Sequence, residues 1–207
     1  MQFQAHIKIS NSEQTKYGLV DSFKEVSNVL LLDGNTTEID SFEWILAVGS
    51  VAEISSGTES AFDTLQDFHD KHKDWIFGSL SYDLKNGLEN LESLHEDRIQ
   101  FPDLHFFVPK YLFVFKDNQL AVHHHNSCEA FDLAILSNDF NSTEINFDNS
   151  IDHRVGKQQY ITDVNRIKKH IQRGDIYEMN YCQEFFAENS KLNTLETFKQ
   201  ILRYEKM

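Results

Sequence analysis

Residues 174–186, Gly174-Asp175-Ile176-Tyr177-Glu178-Met179-Asn180-Tyr181-Cys182-Gln183-Glu184-Phe185-Phe186, decide how this chain is read. Before them, Tyr160, Val164, Ile167 and Ile171 recur at i, i+4, i+7 and i+11, one apolar stripe of a helix. Gly174 stands just past that stripe, where a left-handed residue closes a helix. Beyond it, residues 176–187 read as a strand, with Tyr177, Met179 and Tyr181 on one side and Glu178 and Asn180 on the other. Asp175, Glu178, Asn180 and Gln183 are the densest polar set in an otherwise apolar context. A buried strand must hydrogen-bond such groups or use them to line a ligand site. The residues alone leave both readings open.

Outward from this segment the pattern is mixed. Phe3, Ala5, Ile7 and Ile9 alternate with polar residues, as a strand does. Phe23 and Val26 suit a short helix capped by Ser22. Val29 to Leu32 is a buried strand running into a turn at Asp33-Gly34-Asn35, and Phe42 to Val48 is another, closed by Gly49-Ser50. Ala61, Leu65 and Phe68 predict a helix, and Trp75 to Tyr82 a strand in which Gly78 marks a close backbone approach. Phe101-Pro102-Asp103 is a turn before two strand-like runs, 104–108 and 111–115. Asp117-Asn118 makes a hairpin into Leu120 to His125. Thr194 caps a last helix carrying Leu195, Phe198 and Leu202. The fold class is α+β, with packed antiparallel β-sheets and flanking helices. The domain reading is a β-rich lobe over 1–136, a polar loop or linker over 137–159, and a second lobe from 160 to 207.

With 207 residues the chain has length for a substantial core, and only 2 prolines and 8 glycines argue against a disordered chain. The formal net charge of -14 disfavours nucleic acid and anionic membrane as partners. The densest basic run, Arg166, Lys168, Lys169, His170 and Arg173, reads as a solvated helix face. Cys128 and Cys182 form no CxxC and no disulfide framework, and no signal-peptide run opens the sequence. A reduced, cytoplasmic setting is the expectation. His123 and His125 would share a strand face near Cys128, yet no third and fourth ligand is evident, and two solvated histidines are the simpler reading. Cys182 has no neighbouring histidine to activate it and reads as a small apolar group. Asp83 and Glu89 form a carboxylate pair of the kind that arises by chance in an acidic chain. No metal ligand and no catalytic residue is assigned.

Taken together, several segments resemble the chorismate-utilising enzymes, most nearly component I of the aminodeoxychorismate synthases and, next, of the anthranilate synthases. Residues 174–186 match the family's Gly-Asp-x-Tyr-x-x-Asn-x-x-Gln-x-Phe pattern at every fixed position. Gly78-Ser79-Leu80-Ser81-Tyr82-Asp83 followed by Glu89, the Phe101-Pro102-Asp103-Leu104 turn, Leu31-Leu32-Asp33-Gly34, and the Tyr160 to Gly174 helix add to it. The resemblance spans about residues 25–200, and the wording Tyr-Glu-x-Asn-Tyr-Cys-Gln is closer to the aminodeoxychorismate synthases. It implies a chain that forms the N-terminal part of an enzyme that aminates chorismate to 4-amino-4-deoxychorismate. A glutaminase subunit is the implied partner and source of ammonia. Mg²⁺ is the implied ion of the full-length enzyme, with no cofactor expected in this chain. The family's lysine, acid–base and carboxylate motifs belong to its C-terminal half and are not in this sequence. An inactive, truncated piece is therefore the expectation.

Some relatives bind tryptophan in their N-terminal half. By resemblance the corresponding turn here is Asp33-Gly34, with Phe42 beyond, and Asp33 stands where relatives carry serine. A carboxylate there can still meet an ammonium group. Two other readings stay beside the first: an anthranilate synthase component I fragment, and a non-catalytic module that binds an amino acid or docks a glutaminase.

Overall fold

The computed structural model describes residues 1–34, 42–89, 91, 97–137, 150–188 and 190–204. Its centre is one long strand built from Leu104-His105-Phe106-Phe107-Val108-Pro109-Lys110-Tyr111-Leu112-Phe113-Val114-Phe115-Lys116. In chain order the elements are β1 (Gln2–Lys8), α1 (Ser12–Ser22), β2 (Val29–Asp33), β3 (Trp44–Ser56), α2 (Ala61–His72), β4 (Phe77–Leu80), a 3₁₀ turn (Tyr82–Gly87) and β5 (Leu104–Lys116). They continue with β6 (Gln119–His124), a 3₁₀ turn (Leu133–Ser137), β7 (Asp152–His153), α3 (Lys157–Arg173), β8 (Phe185–Phe186) and α4 (Thr194–Tyr204). The chain divides into two compact units, residues 1–142 with 201–207, and residues 143–200.

The first unit holds a six-stranded antiparallel sheet in the order β1-β6-β5-β3-β2. β4 pairs the first residues of β5 and β6 the last, so the two lie end to end along one edge of it. Pro109 sits between them, opposite the irregularity in β3 between Ser50 and Ala52, where a residue without an N–H disturbs the ladder least. The two runs read separately from sequence at 104–108 and 111–115 are thus one strand. Gly49-Ser50 likewise does not close β3, which passes through a bulge and continues to Ser56.

Trp44, Ile45, Leu46, Ala47 and Val48 are all buried, so the sheet is covered on both faces at this point. One face stacks Trp44 on Phe115 and sets Phe113 against Phe23 and Phe131. The other packs Ile45, Ala47, Phe77, Phe107 and Leu112, with Leu30 and Phe42 at its margin. A third cluster joins Ala61, Leu84 and Leu104. Gly78 is the close approach expected of it: a side chain there would begin 2.0 Å from the His105 carbonyl oxygen. Asp117 and Asn118 both take positive φ in the β5–β6 hairpin, as a primed turn requires.

The helix expected near Phe23 and Val26 is misplaced. It lies earlier, over Ser12–Ser22, and Phe23 follows its last turn. Asn11, not Ser22, caps it, accepting from the Gln14 N–H at 3.0 Å. Its buried residues, Lys16 to Val20, are consecutive, so no helical stripe announces it.

The second unit is sparser. β7 and β8 pair over two residues each, and Arg154 stacks on Phe186 at 3.6 Å while its Nε bonds Glu184 at 2.9 Å. α3 runs for 17 residues without one that is fully buried. The linker read over 137–159 lies largely outside the described residues, and its last three join α3. Among the described residues no helix is long and apolar enough to cross a membrane.

Candidate functional site

The second unit carries the segment that decided the reading of the sequence. α3 ends as expected. Gly174 takes φ +80°, and the N–H groups of Gly174 and Asp175 bond the carbonyls of Ile171 and His170 at 3.0 Å each. Asp175 then folds back over the last turn, where its carboxylate receives Arg173 Nε at 3.0 Å and lies 2.8 Å from His170 Nδ1. Arg173 and then His170 hold the Asp175 carboxyl below the usual carboxylate range. The two basic groups also sit where a helix C-terminus favours cations.

Past this cap the strand expected over 176–187 does not form. Only Phe185–Phe186 pair, with β7. A strand needs a neighbour for its N–H and C=O groups, and residues 176–184 make no ladder among the described residues, the Glu184 carbonyl alone accepting from the Arg154 N–H at 3.1 Å beside the β7–β8 pair. They run along α3 as an open segment. Tyr181 stacks on Tyr160 at 5.2 Å and donates its hydroxyl to Asp163 at 2.8 Å. Hydrogen bonds from Gln159 and Tyr181, aided by Arg166, lower the Asp163 pKa, and the same bond to Asp163 raises that of Tyr181. Between helix and segment lies a cleft of about 380 Å³, lined by Asp163, Arg166, Ile167, His170, Ile176 and Met179 with Tyr181. Its lining joins apolar Ile167, Ile176 and Met179 with the charged or polar Asp163, Arg166 and His170.

The residues singled out from sequence are placed as follows. Gly174 and Asp175 cap α3. Tyr177 is 92% exposed, and Glu178 and Asn180 are exposed too. Gln183 turns inward: its Nε2 donates to the Val155 carbonyl at 2.9 Å, while its Oε1 is buried and has no hydrogen-bond partner among the described residues. Sequence reasoning missed Asp163 and Tyr181 as a pair. The signal was present, because Tyr160 and Asp163 lie one turn apart on the helix that faces Tyr181.

In the first unit, Asp33 ends β2 and Gly34 follows it, its N–H bonding the Glu43 carbonyl at 2.7 Å. Phe42 is half-buried beside the core. Asn35 lies outside the described residues. Asp33 meets an ammonium, that of Lys16, at 2.5 Å.

His124 Nδ1 lies 3.1 Å from both the His125 and Cys128 carbonyls, and His123 packs by Phe3. Burial, with His6 nearby, lowers the His123 pKa. Asp83 pairs with Lys85 at 2.8 Å. Cys182 is exposed and Cys128 half-buried, both as free thiols. Among the described residues no three of His, Cys, Asp and Glu converge into a set that could hold a metal ion.

A family model described as chorismate binding enzyme matches residues 27–206, well over half of the chain. No curated protein matches it significantly.

Proposed function

The chain belongs to the chorismate binding enzymes, and from that premise we propose that it serves aminodeoxychorismate synthesis as the N-terminal part of component I. In this reading the assembled enzyme adds ammonia, delivered by a glutaminase subunit, to chorismate and yields 4-amino-4-deoxychorismate. The single observation that carries it is residues 174–186. They keep Gly174, Asp175, Tyr177, Asn180, Gln183 and Phe185 at their fixed places, in the wording nearer the aminodeoxychorismate synthases. In the structure Gly174 and Asp175 cap α3, the stretch after them runs along α3, and Phe185–Phe186 pair with β7.

Such a segment supports a positioning role. The helix cap and the Tyr181–Asp163 bond fix the segment's path, and its free edge accepts a neighbouring strand that carries the reacting groups. In this reading the chain supplies scaffold and one wall of the site.

The test is complementation. The 207-residue chain is purified alone, and also co-expressed with a polypeptide carrying the family's lysine and carboxylate motifs. Each preparation receives chorismate, Mg²⁺ and ammonium, and products are separated by chromatography. The expected result is no turnover by the chain alone and 4-amino-4-deoxychorismate from the pair. Anthranilate from the pair would move the chain to the other branch of the family, and turnover by the chain alone would overturn the positioning role.

A further inference from the structure

A lysine buried without contact to solvent is rare unless something holds its charge. Lys16 is 0% exposed, on α1 in the first unit. Its Nζ lies 2.5 Å from Asp33 Oδ2 and 2.6 Å from Glu13 Oε1, and 5.0 Å from the centre of the Tyr17 ring. Two carboxylates thus converge on one cation, and the Asp33 side chain is itself only 7% exposed.

The backbone that carries these carboxylates is placed without Lys16, and of the two side chains Asp33 is enclosed while Glu13 is 48% exposed. Asp33 is fixed by the β2–β3 ladder, in which it pairs with Trp44. The start of α1 is tied to the same strand, because Trp44 Nε1 donates to Ser12 Oγ at 2.8 Å. The Asn11 cap holds the first turn, so Glu13 and Lys16 share a face at i,i+3.

We infer that α1 and the end of β2 form a receptor for one primary ammonium ion, and that the chain fills it with its own lysine. The ligand class is an unbranched primary amine: three N–H donors meet the two carboxylates, and an apolar stem follows the path of the Lys16 side chain. While Lys16 is in place the site is closed, and a free amino acid finds the Asp33 carboxylate taken. The inference concerns the first unit alone and stands whether or not the proposed reaction does.

The experiment is chemical rescue. Lys16→Ala removes the atoms of n-propylammonium, so that ion is the probe. Urea unfolding of the variant is followed in n-propylammonium chloride and in sodium chloride of equal ionic strength. The expected result is a saturable gain for the first salt only, about 100-fold in the folded-to-unfolded ratio at about 100 times Kd. Tetramethylammonium, which has no N–H, gives none, and neither does the wild-type chain.

Lys16→Met keeps the stem, removes the charge and blocks the space, so it is destabilised and not rescued. A folded Lys16→Ala variant that treats the two salts alike would overturn the inference. So would Lys16→Met as stable as wild type, since two converging carboxylates would then need no cation.

If Lys16→Ala does not fold, reductive methylation of the native chain decides. Lys16 should be spared while exposed Lys8 and Lys24 react, and Asp33→Asn should speed its labelling at least ten-fold. Labelling of wild-type Lys16 at the Lys24 rate, or no change on Asp33→Asn, would overturn the inference.

Discussion

The sheet of the first unit and the helix α3 of the second carry equally clear apolar patterns, and only the sheet buries its own. In β3 the run from Trp44 to Val48 is sealed on both faces. In α3 the stripe of Tyr160, Val164, Ile167 and Ile171 contains no fully buried residue, and beyond it Tyr177, Met179 and Phe185 are exposed. An apolar stripe states that a surface wants cover, and it does not say where the cover comes from. The sheet finds it in α1, Phe131 and its own strands. Among the described residues, the face of α3 meets the segment that follows it, through Tyr181 on Tyr160 and the cleft beside Ile167.

Breaking a residue in each region gives the largest contrast. Phe113 is 0% exposed and touches the rings of Phe23 and Phe131. Phe113→Ala should lower stability by about 3–5 kcal/mol, as deletion of a packed aromatic ring does. Ile167→Ala on α3 should destabilise that helix by less than about 1 kcal/mol. Urea denaturation measures both, with tryptophan fluorescence reading the first unit and amide exchange in α3 reading the second. Equal losses would mean that α3 is as well packed as the sheet.

Gly78→Ala comes next. The added methyl would stand 2.0 Å from the His105 carbonyl, which is backbone and cannot step aside. β4 must then part from β5 or shift, at a cost of about 1–3 kcal/mol. Amide exchange should show the protection of Phe77 to Leu80 lost while that of Leu112 and Phe113 remains. Unchanged protection in β4 would show that the sheet yields more easily than its packing suggests.

What the sequence made legible follows the same division. Alternation exposed β1, the Asp117-Asn118 hairpin and the Gly78 contact, because each rests on local residues. Helix α1 was hidden, since its buried side includes Lys16 and Gly18, and a lysine announces burial only when its carboxylates are known. The merger of two runs into β5 was hidden by Pro109, which reads as a break unless the gap between β4 and β6 is seen. In the candidate site the helix, its Gly174 cap and the polar residues were legible. The strand was not formed, because strand pairing depends on a second chain segment that alternation cannot reveal.

A smaller effect concerns the exposed side of the second unit. Tyr177, Met179 and Phe185 together offer apolar surface of the kind that binds hydrophobic dyes and associates. The chain should bind such a dye when native and self-associate as its concentration rises. Tyr177→Ser, Met179→Ser and Phe185→Ser combined should cut dye fluorescence several-fold and leave the unfolding free energy within about 0.5 kcal/mol. A wild-type chain that stays monomeric in light scattering and leaves the dye dark would erase the contrast between the two regions.

The smallest effect tests whether the second unit owes its order to local contacts. The Asp175 carboxyl is held below its ordinary value by Arg173 and His170. A carboxylate whose folded pKa is depressed adds stability above its unfolded pKa of about 3.9, and loses it as pH falls through the folded value. Helicity at the end of α3 should therefore persist down to that ordinary value and fray below it. Because the group faces solvent, salt should weaken the effect, and a carbon NMR titration in 1 M salt should bring the Asp175 midpoint up toward the ordinary value. Arg173→Gln should do the same at low salt, since it removes the largest cause. A midpoint already ordinary in the wild-type chain would mean that the three groups do not hold one another. The ending of α3 would then rest on Gly174 alone, and the open course of residues 176–184 would lose the anchor that now fixes where it begins.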